Sequence, residues 1–174
     1  MKKIFMSLFI MSVFSLHAQK TINIFNYSDY NVINYLVGAN QTNANCYPTI
    51  SGTNYPVPVP PLGAVSYNGY YNSQLQSPPI NSWTVQLALN NSTIQPASSP
   101  VLMPLGSTTD WMMNKFYVED PNGTPLNYSG SSIGTLTCNT PVINSVESTP
   151  TRPYEFNAYW FVSGGETFFI IQPK

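Results

Sequence analysis

The chain has 174 residues, with 6 Lys+Arg, 7 Asp+Glu and one His. Charged residues make up 7% of it, against about 25% in an average soluble domain, while 43% are hydrophobic and 14% aromatic. That balance excludes a nucleic-acid binder, which needs a Lys/Arg surplus to neutralise phosphates. It also excludes a disordered chain, poor in aromatics, and a long coiled coil, rich in Ala, Glu, Lys, Leu and Arg.

The first element in chain order is an address. Met1-Lys2-Lys3 is a short basic start, and Ile4 to Leu16 follows without a charge. An apolar run of this length is too short to span a bilayer, which takes about 20 residues. His17-Ala18 then leads into polar chain. The pattern predicts a signal peptide over 1–18, cleaved between Ala18 and Gln19, and one domain over 19–174. Cleavage removes Lys2, Lys3 and the single His, leaving four basic and seven acidic residues and a net charge of −3. No later segment is apolar enough for a transmembrane helix. The expected location is outside the cytoplasm: periplasm, cell surface or medium.

Export places Cys46 and Cys138 where disulfides persist, and two cysteines allow one intramolecular pairing. The sequence predicts a Cys46–Cys138 bridge.

The remaining elements read as strands and turns. No window sustains apolar residues at helical spacing, and 16 prolines interrupt the chain. Lys20 to Tyr27 and Asn31 to Val37, joined at Ser28-Asp29, are expected to form a hairpin. Asn68-Gly69 suits a two-residue type I′ turn between Val65-Ser66-Tyr67 and Tyr70-Tyr71-Asn72. Ser82 to Leu89 places Trp83, Val85, Leu87 and Leu89 on one face. Asn114 to Glu119 runs into the turn Asp120-Pro121-Asn122-Gly123. Ser132 to Cys138 and Val142 to Val146 are weaker strands. Tyr154 to Val162 and Glu166 to Gln172 form a hairpin about Ser163-Gly164-Gly165. Its apolar residues on both faces suggest a central position. Ala39 to Pro61 and Ser92 to Asp110 are expected as long Pro-rich connections. Some nine strands with closely spaced turn signals predict an all-β fold, an antiparallel β-sandwich, Ig-like or jelly-roll-like.

Little catalytic chemistry is available. Without a mature His, neither a Ser-His-Asp nor a Cys-His set can be built. No His-based or Cys₄ zinc site is possible, and no phosphate-binding glycine loop is present. No catalytic residue, metal ligand or cofactor is therefore expected. The carboxylates Asp29, Asp110, Glu119, Asp120, Glu147, Glu155 and Glu166 leave a carboxylate-based hydrolase as the one enzyme route.

The remaining candidates are aromatic. Tyr67, Tyr70 and Tyr71 surround the predicted Asn68-Gly69 turn, and Trp111 follows a Pro-rich stretch. Exposed near loop ends, such rings give large contact area with little entropy lost and carry a polar tip. These four are the predicted ligand contacts. The expected function is non-catalytic binding or surface association, with a glycan or cell-envelope partner. The rivals are a membrane-active or pore-forming β protein and a structural or assembly subunit.

Overall fold

The computed structural model describes residues 20–53, 58–122, 125–148 and 155–174, with the backbone alone at 125–129. The predicted leader over 1–18 lies outside the described residues, as do Gly123 of the predicted turn and Tyr154 of the predicted strand. The fold is all-β. Its strands are β1 (Thr21–Asn26), β2 (Asn31–Ala39), β3 (Thr49–Gly52), β4 (Ala64–Asn68), β5 (Ser82–Ala88), β6 (Asn91–Pro96), β7 (Asp110–Glu119), β8 (Pro125–Thr135), β9 (Val142–Ile143), β10 (Ser145–Glu147), β11 (Phe156–Ser163) and β12 (Glu166–Pro173). One short helix, α1 (Leu102–Thr108), and a 3₁₀ turn at Ser73–Leu75 complete the elements.

The strands form two sheets. One has five strands in the order β10-β11-β12-β1-β4, the other seven in the order β6-β5-β3-β2-β7-β8-β9. Strands β1 and β12 run parallel. Every other pairing among the described strands is antiparallel. One apolar core serves both sheets. Ile22, Ile24, Phe169, Ile171, Ala158 and Trp160 enter it from the first, and Val32, Leu36, Trp83, Phe116 and Ile133 from the second. Phe116 meets Phe169 and Phe156 across the interior, with ring centroids 4.9 and 5.7 Å apart.

The predicted N-terminal hairpin does not form, because β1 and β2 belong to different sheets. Asn26 directs this crossover. It is fully buried, and its amide nitrogen donates to the carbonyls of Tyr30 (2.7 Å), Val59 (3.0 Å) and Pro60 (2.9 Å). Its Oδ1 accepts from the Ser28 N–H and hydroxyl. The chain is thereby tied to the 59–60 segment and turned toward the second sheet.

Three further expectations are corrected. The Asn68-Gly69 hairpin is absent: Gly69 has φ 86°, but Asn68 does not adopt the positive φ that a type I′ turn needs at both positions. Residues 70–72 leave β4 for the 3₁₀ turn instead of returning as a strand. The 92–110 segment holds β6 and α1 rather than being a bare connection. Pro104 is accommodated because it lies in the first turn of α1, where its missing N–H has no helical partner to lose. Finally, the predicted strand over 142–146 is split at Asn144, with β9 in the seven-stranded sheet and β10 in the five-stranded one.

The β11–β12 hairpin closes as its glycines suggest. Ser163 pairs with Glu166, and Gly164 and Gly165 have φ 60° and 81°, a conformation that costs residues with a Cβ dearly. Cys46 and Cys138 are bridged, with Cα atoms 5.6 Å apart. Cys46 packs with Val37, Ala39 and Met112 in a second small cluster.

Candidate functional site

The four predicted contact residues occupy the interior. Tyr67 is 1% exposed, Tyr70 2% and Trp111 4%, and Tyr71 is half-buried against the same core. The exposed platform expected from the sequence therefore does not form. Tyr70 sits edge-on to Trp83 and Trp111, with centroids at 5.1 and 4.9 Å. Its hydroxyl lies 2.8 Å from Thr109 Oγ1. The Tyr67 hydroxyl donates to the Pro78 carbonyl at 2.7 Å. Burial pushes both phenols well above their ordinary range, and for Tyr70 the Thr109 hydrogen bond opposes part of that.

Trp111 turns inward because the strand is irregular. The β2–β7 register shifts between Val37 and Gly38, so Trp111 pairs with Gly38 while Met113 pairs with Val37. Met112 is the extra residue of the bulge, and a bulge reverses which side chains face inward beyond it. Trp111 thus joins the main core and Met112 the cluster around Cys46.

A different set of rings is exposed. By the alternation of strands, the even-numbered residues 22 and 24 of β1 and 158 and 160 of β11 lie inward, as do the odd-numbered 169 and 171 of β12. Their neighbours cover the outer face of the five-stranded sheet. Tyr159 pairs with Ile170, which pairs with Phe25; Phe161 pairs with Phe168, which pairs with Asn23. Tyr27, one residue past the end of β1, stacks on Phe25. Tyr27 is 50% exposed, Phe161 42% and Tyr159 36%. The rings of Phe161 and Phe168 stack at 5.1 Å with planes 8° apart, and those of Phe25 and Tyr27 at 6.0 Å, again 8° apart.

This aromatic face has a polar border. Asn23 donates to Glu166 Oε2 at 2.8 Å and accepts from the Ser66 hydroxyl at 2.6 Å. The signal for this surface in the sequence is the run of apolar residues on both faces of the β11–β12 hairpin, which also suggests its central placement. The strands are indeed flanked on both sides within their sheet, but no described element covers their outer surface.

A cleft of about 460 Å³ opens beside this face, at the Gly164-Gly165 end. Trp111 and Trp160 line it together with the ion pair of Lys20 and Asp110. Among the described lining residues, Asp110 is the single carboxylate. Among the described residues, no cluster of three or more His, Cys, Asp or Glu side chains could hold a metal ion. None of the described helices is long and apolar enough to cross a membrane.

No protein-family model matches this chain, and no curated protein or solved structure does either.

Proposed function

We propose that this chain is an exported β-sandwich protein, Ig-like or jelly-roll-like, that binds a glycan or glycan-bearing surface without catalysing a reaction. The observation that carries the reading is the aromatic outer face formed by Phe25, Tyr27, Tyr159, Phe161, Phe168 and Ile170. Soluble chains seldom leave a contiguous apolar patch exposed without a use for it. Ring faces carry negative charge density, which suits the slightly positive C–H bonds on the flat side of a sugar ring. Each of the two stacked pairs, with ring planes 8° apart, offers a sugar ring a broad apolar surface. The Asn23–Ser66–Glu166 row supplies hydrogen-bond partners for hydroxyl groups alongside. Two sheets enclosing one core support the sandwich assignment, and the Cys46–Cys138 bridge supports an oxidising destination.

The test is retention of the oxidised chain on a panel of insoluble and soluble polysaccharides. The variants are Tyr159→Ala and Phe168→Ala. Each should weaken binding by about tenfold or more, the equivalent of about 1.4 kcal/mol, while leaving the far-UV spectrum unchanged. Undiminished retention in both variants refutes the role of this face.

One observation favours a second reading. The β5–β6 hairpin exposes Leu87 and Leu89 near its tip and Ile94 further along, and it carries no charge between Ser82 and Pro96. Such a tip suits shallow insertion into a bilayer interface. Dye release from neutral phosphatidylcholine vesicles, abolished by Leu89→Ser, would replace the glycan reading with a membrane-active one.

A further inference from the structure

We infer that the cleft at the Gly164-Gly165 end is a separate subsite for one neutral sugar unit, the end of a chain whose next units lie across the aromatic face. This rests on the glycan reading and adds a class of ligand to it: uncharged hexoses, against uronic acids and amino sugars.

The volume of the cleft, about 460 Å³, lies in the range of small-molecule sites, roughly 300–1,000 Å³. Its walls are fixed before any ligand arrives. The Trp111 indole N–H donates to the Lys20 carbonyl at 2.7 Å, so the ring holds the residue whose ammonium meets Asp110. The Trp160 backbone N–H donates to the Asn144 carbonyl at 2.9 Å, fixing the β9–β10 crossing to β11. Behind Trp160, Gly134 adopts φ 98°; a Cβ there would lie 2.4 Å from the Met112 carbonyl oxygen and 3.2 Å from the indole. The ring is held against backbone, with no space behind it to retreat into.

The electrostatics select the ligand. Lys20 and Asp110 form an ion pair at the mouth, so the site has both a strong donor and a strong acceptor but no net charge. An arriving carboxylate meets Asp110 as well as Lys20, and an arriving ammonium meets Lys20 as well as Asp110. Either ligand gains one attraction and suffers one repulsion. A pair of neighbouring hydroxyls avoids the conflict, one accepting from the ammonium and the other donating to the carboxylate, each a charge-assisted hydrogen bond. Gln41 and Asn144 add neutral amides, and Val142 and Val162 form apolar lips. Phe161 is common to the lining of the cleft and the aromatic face.

The experiment is calorimetric titration, with intrinsic Trp fluorescence as a second signal, using glucose, galactose, mannose, galacturonic acid and glucosamine as probes. At least one neutral hexose should bind, with its charged counterpart weaker by about tenfold or more. Val162→Trp, at an exposed lip, should block the cleft without touching the ion pair, and Asp110→Asn should remove the discrimination against uronic acid. Tyr159→Ala and Phe168→Ala should lose polysaccharide retention yet still bind the hexose. Failure of every neutral hexose to bind, equal affinity for neutral and charged sugars, or hexose binding that survives Val162→Trp each overturns the subsite. Hexose binding with no polysaccharide retained would instead overturn the role of the face and leave the cleft standing.

Discussion

Gly38→Ala tests whether Tyr70 is locked in the core as described. A Cβ on Gly38 would lie 1.8 Å from the Tyr70 hydroxyl oxygen and 2.8 Å from the ring carbon bearing it. The tyrosine has no direction in which to yield. Trp83 and Trp111 hold it edge-on, and Thr109 engages its hydroxyl. Overpacking of this kind costs about 1–3 kcal/mol, and displacing the hydroxyl from Thr109 adds about 1 kcal/mol. Replacing a glycine within a strand returns about 0.5–1 kcal/mol. The net is a loss of about 1–3.5 kcal/mol, or roughly 2–14 °C in Tm for a chain of this size. Tyr70→Phe removes the atom at 1.8 Å but leaves the carbon at 2.8 Å, so the double variant should recover part of the loss. A coupling of about 1 kcal/mol or more is expected from a double-mutant cycle measured by urea denaturation. A Gly38→Ala chain as stable as the parent, or strictly additive effects, would refute the close approach and with it the fixed position of Tyr70.

Two further predictions concern the whole fold. The Cys46–Cys138 bridge closes a loop of 92 residues, for which loop-closure entropy gives about 4.6 kcal/mol. Cys46→Ser/Cys138→Ser should lower Tm by roughly 10–18 °C; a change of a degree or two would mean that the bridge constrains nothing in the unfolded chain. The second prediction is alkaline unfolding. The folded state raises the Tyr67 and Tyr70 hydroxyls above their ordinary 10.0, so it holds those protons more tightly than the unfolded chain does. The stability they contribute is complete below pH 10 and falls as pH rises above it. Tyrosinate absorbance should show two of the 12 tyrosines ionising only when the circular dichroism signal collapses. Ionisation of all twelve with the fold intact would contradict their burial.

What was legible in the sequence depended on how local its cause is. The β11–β12 hairpin was readable because alternation and paired glycines lie within one short stretch. The cysteine pairing followed from arithmetic. The crossover after β1 was not readable, since it depends on Asn26 reaching carbonyls 33 and 34 residues away. Asn68-Gly69 gave a misleading signal, because tertiary packing of Tyr70 against two indoles outweighs a local turn preference. Trp111 was expected at an exposed loop end, but β7 begins at Asp110, ahead of the predicted Asn114, and carries a bulge that no sequence period announces. The aromatic face was visible as residues, Phe25, Tyr159, Phe161 and Phe168 among them. Only the order of strands in the sheet shows that they fall in adjacent rows.

The parallel pairing of β1 with β12 sets a clock on assembly. Ile22 lies beside Thr167, and Asn26 beside Ile171. For a chain synthesised from its N-terminus at about 5–20 residues per second, roughly 7–30 s separate the appearance of these neighbours. Throughout that interval the strand made first has one of its two flanks vacant, and the five-stranded sheet cannot close. A chain halted short of β12 lacks the strand that joins β11 to β1, so its five-stranded sheet remains in two pieces.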